Sequence, residues 1–179
     1  MKLKLTIPVA MAAGTFAFSA LPATTPATPA AYAASVVAAM TLSCNAPGLD
    51  DGRSCEGALA WARQHVSTAG NPDYRNRCDH VMALAYGFDH SGSADAIAHW
   101  RAVPDRYKHA DDRDVPGGAL VFFSGGSHGH VAISTGGQGI ISTDIHGPGT
   151  FTPSSIDEIT GKWGQHYLGW ANPWFEINH

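Results

Sequence analysis

The chain has 179 residues, 44% of them hydrophobic and 15% charged, with a formal charge of −4 at pH 7 and no basic block beyond Lys2 and Lys4. That balance suits a folded domain with its own core and excludes the electrostatic footprint of a nucleic-acid partner. Ten histidines mean that the charge would move towards positive in acidic surroundings.

Lys2 and Lys4 precede an apolar run from Leu5 to Leu21, interrupted by Thr6, Pro8, Gly14, Thr15 and Ser19. A spanning helix wants roughly 20 dependable apolar residues, and this run passes into Ala, Thr and Pro rather than a basic flank, so it reads as a secretory signal. Ala31-Tyr32-Ala33 offers a small-x-small cleavage pattern before Ala34, with Phe18-Ser19-Ala20 as the competing site. Cys44 lies well past the apolar run without a lipobox, so no lipid anchor is expected. The expected organisation is a signal peptide over 1–33, a disordered lead-in over 34–43 rich in Ala, Thr and Pro, and one domain over 44–179. The mature chain is expected outside the cell or at its wall, as a monomer without membrane contact.

Three cysteines in an exported chain allow one disulfide and leave one thiol. Cys44 and Cys55 flank a turn-rich polar loop that a bridge would staple, and their pairing leaves Cys78 free. The alternative pairs Cys78 with one of them and removes any catalytic role for it.

Ala58, Trp61, Ala62, His65 and Val66 recur at helical spacing, predicting a first helix from Glu56 to Thr68 capped by Ser54. A second helix is expected over Arg77 to Tyr86, with Asn76 as its cap and Gly87 as its stop, placing Cys78 in the first turn. A third is expected over Ser93 to Arg101, followed by a polar loop from Pro104 to Asp114. The pattern then turns extended: Ala119 to Phe123, His130 to Thr135, a Gly136 to Gly139 hairpin turn, and Ile140 to Asp144. Ser155 to Glu158 makes a capping box for a short helix near Ile159, and Tyr167 to Trp170 is a closing strand. Helices followed by sequential antiparallel strands predict the α+β class, with the cysteine helix packed on a sheet that carries the histidine.

The chemistry centres on Cys78 and His130. A helix N-terminus and an imidazole partner together stabilise a thiolate, and the imidazole can pass a proton to a leaving group. If the hairpin is centred on Gly137, Asp144 lies opposite His130 and is the candidate to orient its ring. Ser142, on the same strand face, and His146, two steps further, are the alternatives. His128, His130, Asp144 and His146 could also converge on a metal, but no zinc-hydrolase motif is present, and no metal or cofactor is expected. Trp100, Trp163, Trp170 and Trp174 suit either a core or a substrate groove.

Pro116-Gly117-Gly118-Ala119-Leu120-Val121-Phe122-Phe123 is similar to the Pro-Gly-Asp-Leu-Val-Phe-Phe segment of the papain-like cell-wall hydrolases of the NlpC and CHAP families. Gly129-His130-Val131-Ala132-Ile133 resembles their histidine strand. The resemblance covers Trp61 to Trp170 and implies a papain-like fold and a thiol hydrolase that cuts an amide bond in peptidoglycan or a peptide. It assigns Cys78 as nucleophile and His130 as base. The position of the third NlpC histidine falls on Ser142, whereas CHAP-type use of an acidic residue favours Asp144. The common Asp-Cys-Ser-Gly pattern is here Arg77-Cys78-Asp79-His80. The backbone N–H of Cys78 is the default oxyanion donor, and Tyr74 is the candidate hydroxyl contact. The other class of reading is a binding module of the same fold that holds wall polymer or a protein partner with an inactive site.

Overall fold

Ser54 accepts the backbone N–H of Gly57 at 3.2 Å and starts α1, Cys55–Gln64, whose Ala58, Leu59 and Ala62 are buried. The computed structural model describes Cys44 and residues 52–179. The signal and lead-in over 1–43, and residues 45–51 of the loop between Cys44 and Cys55, lie outside the described residues. The helix stops before the expected Thr68 because Ser67 pairs with Phe151, N–H to carbonyl at 2.8 and 2.9 Å in the two directions, and this bridge draws the chain out of helical geometry. Cys44 and Cys55 form the disulfide and Cys78 is a free cysteine, so the alternative pairing of Cys78 is set aside.

The second helix, α2, spans Cys78–Tyr86 and ends on Gly87 in the left-handed region, as its sequence predicts. Its start differs from expectation. Arg77, not Asn76, is the N-cap and makes no side-chain capping bond; Asn76 sits at φ 55 and faces a different partner. The third helix, α3, spans Ala96–Ala102 and begins later than Ser93 because Asp95 supplies the cap, accepting from Ala98 N–H at 2.8 Å.

The segment expected as a polar loop holds a 3-10 turn over Asp105–Tyr107 and then β1, Lys108–Ala110. A strand this short and polar carries no alternation to read. Its partner is the last strand, with His109 opposite Trp170, and the approach depends on Gly169: a Cβ there would lie 2.3 Å from the His109 carbonyl. The remaining elements are β2 Leu120–Ser124, β3 His130–Gly136, β4 Gly139–Thr143, β5 Phe151–Ser155, α4 Ile156–Trp163 and β6 His166–Ala171. Together they make a six-stranded antiparallel sheet in the order β1-β6-β2-β3-β4-β5. This is an α+β fold.

The strand β5 has no counterpart among the expected elements, and it contains Pro153, which a central strand would not accommodate. It lies at the sheet edge, where the missing proline N–H leaves no ladder bond unmade. Ser155 then caps α4 by accepting from Glu158 N–H at 3.1 Å, as the capping box predicts. Alternation divides the sheet between two cores. Leu120, Phe122, Val131 and Ile133 pack with α1 and α2, while Val121, Phe123, Ala132 and Ile140 pack with Ile156 and Ile159 of α4.

Candidate active site

Cys78 is the first residue of α2, and His130 is the first residue of β3. Gly129 fixes the entry to that strand at φ 64; a Cβ there would stand 2.6 Å from the Phe123 carbonyl and from Ile97. Both Cys78 and His130 line one cavity of about 480 Å³, with Asn76, Asp144, Trp163 and Gln165 among its other walls. Contacts between α2 and β3 place the helix start beside the strand. No hydrogen bond joins the thiol to the imidazole among the described residues; catalytic bonds of this kind tighten when substrate fills the site.

The ring of His130 is held at one nitrogen. Its Nε2 lies 2.7 Å from Ser142 Oγ, and that hydroxyl donates to the Thr143 carbonyl at 3.2 Å. A serine hydroxyl has one proton. With that proton directed to the carbonyl, Ser142 accepts from His130 Nε2–H, so the neutral ring keeps Nδ1 as its lone-pair nitrogen. Trp163 stands edge-on to the imidazole, ring centres 5.0 Å apart at 82°, and helps to exclude water from it.

Asp144 does not take the orienting role expected of it. The hairpin register is the one anticipated, with Ile133 opposite Ile141 and Ser134 opposite Ile140, but β4 ends at Thr143 and Asp144 turns out of the strand at φ 64. Its carboxylate accepts the Asn76 N–H at 3.0 Å and the Gly149 N–H at 2.6 Å. It therefore ties the turn after β4 to the residues just ahead of Cys78. His146 is further from the chemistry: its Nδ1 meets Thr152 Oγ1 at 2.7 Å and its Nε2 meets Glu158 Oε1 at 2.8 Å. Tyr74 packs its ring edge-on against Phe151 and is not among the residues lining either cavity beside Cys78.

The electrostatics correct a second expectation. Burial pushes the Cys78 thiol up to about 12, with the charges of Asp79 and Asp144 acting in the same direction. The backbone N–H groups of Val131 and Asp79 pull the other way without prevailing. The same burial lowers His130 to about 4. Both shifts act in the same sense, favouring a neutral thiol and a neutral imidazole at rest.

Sequence reasoning ranked Ser142 below Asp144 and gave Gln165 no role. Gln165 Oε1 is buried without a hydrogen-bond partner in the cavity wall, and no pattern in the sequence signals this. Of the tryptophans, Trp163 reaches the cavity, while Trp100 packs on Phe122, Trp170 stacks on His109 and Trp174 stacks on His179. Among the described residues no group of His, Cys, Asp and Glu is placed to hold a metal ion, and no helix is long and apolar enough to cross a membrane. Compared with protein-family models and with curated protein sequences, the chain matches none.

Proposed function

We propose that the protein is an exported cysteine hydrolase that cleaves an amide bond in peptidoglycan, as an amidase or an endopeptidase. The observation that carries this reading is the shared cavity of Cys78, at a helix N-terminus, and His130, whose Nε2 is held by Ser142 so that Nδ1 is the basic nitrogen. The similarity of the Pro116 to Phe123 and Gly129 to Ile133 segments to NlpC and CHAP enzymes supports the wall substrate, and the apolar N-terminal run supports export.

In this mechanism the His130 Nδ1 takes the thiol proton as Cys78 Sγ attacks the amide carbon. Coupling the transfer to attack suits a pair that is neutral at rest, because no buried ion pair has to form before substrate arrives. The negative charge moves to the carbonyl oxygen, where the Cys78 backbone N–H is the first donor. Collapse breaks the C–N bond, and the proton passes from His130 to the leaving amine. Water then attacks the thioester with His130 as base, releasing the acid and restoring the thiol.

The second reading is a binding module with an inactive site. It is favoured by the raised thiol and by the absence of a bond between Cys78 and His130. Incubation with purified cell-wall fragments divides the two: the wild-type protein releases new amino groups and Cys78→Ala releases none, with or without a chelator. Full turnover by Cys78→Ala would remove the thiol mechanism, and no turnover by either would leave the binding module.

A further inference from the structure

Cys78 also borders a second cavity, of about 340 Å³, which shares Asn76 and His128 with the first but is not lined by His130. The start of α2 forms one wall with Arg77 and His80, and the segment leading into α3 forms the other with Ser91, Ser93 and Asp95. The hydrolytic steps above do not use it.

Its acidic groups are already engaged. Asp79 Oδ1 lies 2.5 Å from His99 Nδ1, and its Oδ2 accepts the Ser91 hydroxyl. His99 Nε2 is held by the Trp174 carbonyl at 2.6 Å. A carbonyl can only accept, so Nε2 donates to it, and the other ring nitrogen is engaged with the Asp79 carboxyl inside this buried network. Asp95 uses one oxygen to cap α3 and the other to meet His128 Nδ1 at 3.2 Å.

Arg77 has the opposite character. Arg77 is exposed, and its guanidinium makes no ion pair or hydrogen bond among the described residues. Its charge reaches the His80 ring, which burial and Arg77 together hold below the ordinary histidine value. His80 Nδ1 is buried without a hydrogen-bond partner. A planar, permanently charged fork of N–H donors matches a carboxylate in two-point geometry better than it matches any neutral amide.

We propose that this second cavity is a subsite for a carboxylate of the ligand, a peptide acid whose carboxylate pairs with Arg77 while its neighbouring amide bond is presented to Cys78. The presentation to Cys78 rests on the hydrolase reading; the carboxylate preference does not. Iodoacetyl-glycine and iodoacetyl-glycinamide differ only by that carboxylate, and both alkylate thiols. With each rate normalised to a free thiol, the acid should modify Cys78 about fivefold faster than the amide, and Arg77→Gln should return the ratio to about one. Arg77 makes no capping bond, so the variant keeps the helix. A normalised ratio near one in the wild type, or a preference that survives Arg77→Gln, overturns the proposal. Where Cys78 reacts too slowly with either reagent for the rates to be compared, binding to the Cys78→Ala protein decides the subsite. Acetylglycine should shift the His80 imidazole proton resonances, acetylglycinamide should not, and the shift should vanish in Cys78→Ala/Arg77→Gln. Absence of an acid-specific shift overturns the proposal on its own.

Discussion

The carboxylate of Asp144 accepts the backbone N–H of Asn76 at 3.0 Å, two residues ahead of Cys78, and its second oxygen accepts Gly149 N–H at 2.6 Å. One side chain therefore fixes both the turn that ends β4 and the approach to the nucleophile helix. Asparagine tolerates the left-handed backbone at this position but replaces one acceptor with a donor. Asp144→Asn should cost about 1–3 kcal/mol of stability, read as a fall in denaturation midpoint. A variant of unchanged stability would mean that these two bonds do not fix the turn and the approach to the helix.

Ser142 is the side chain that hydrogen-bonds the ring. Ser142→Ala removes the acceptor for His130 Nε2–H, so the ring loses its fixed tautomer and orientation. Turnover on cell-wall fragments should fall by about ten- to a hundredfold. Ser142→Thr should restore part of it, because the hydroxyl returns with an added methyl. Equal activity of Ser142→Ala and wild type would mean that the 2.7 Å contact has no part in catalysis.

The contrast between Ser142 and Asp144 shows what the sequence made legible. The hairpin register was readable, because Gly136 to Gly139 marks the turn and the alternation around it is regular. Where β4 stops was not readable: the exit of Asp144 depends on backbone N–H groups from Asn76 and Gly149, which are distant in sequence or hidden in a loop. Helix boundaries with side-chain caps, at Ser54 and Ser155, were visible for the same local reason. The strands β1 and β5 were missed because both are sheet edges, where short polar runs and Pro153 are permitted and no alternation is required. The thiol depends on a different link of the argument. A helix terminus is a sequence feature, whereas desolvation is a property of the packed site.

Burial of Cys78 makes a direct kinetic prediction. With the thiol pushed up to about 12, the thiolate at pH 7 is on the order of one part in a hundred thousand. Alkylation of the free protein by iodoacetamide should be slow near neutral pH and should rise about tenfold for each pH unit between 7 and 10. Rapid labelling with a plateau near pH 7 would show a stabilised thiolate and an imidazolium beside it. Mapping the modified peptide to Cys78 separates this from labelling elsewhere.

His130 links the site to stability in acid. Its ordinary value is 6.5 and burial lowers it to about 4 in the folded protein, so between those values the unfolded chain binds a proton that the folded one refuses. The sign follows: the contribution is fully present above pH 6.5 and is lost as pH falls towards 4, by up to about 3 kcal/mol, with no further loss from this group below that. Denaturant midpoints of the wild type should drop across this window. In His130→Asn, which cannot take up a proton, the drop should be smaller by this contribution. Parallel curves for the two proteins would mean that His130 is solvated well enough to protonate in the folded state, and the neutral resting pair would have to be given up for an ion pair.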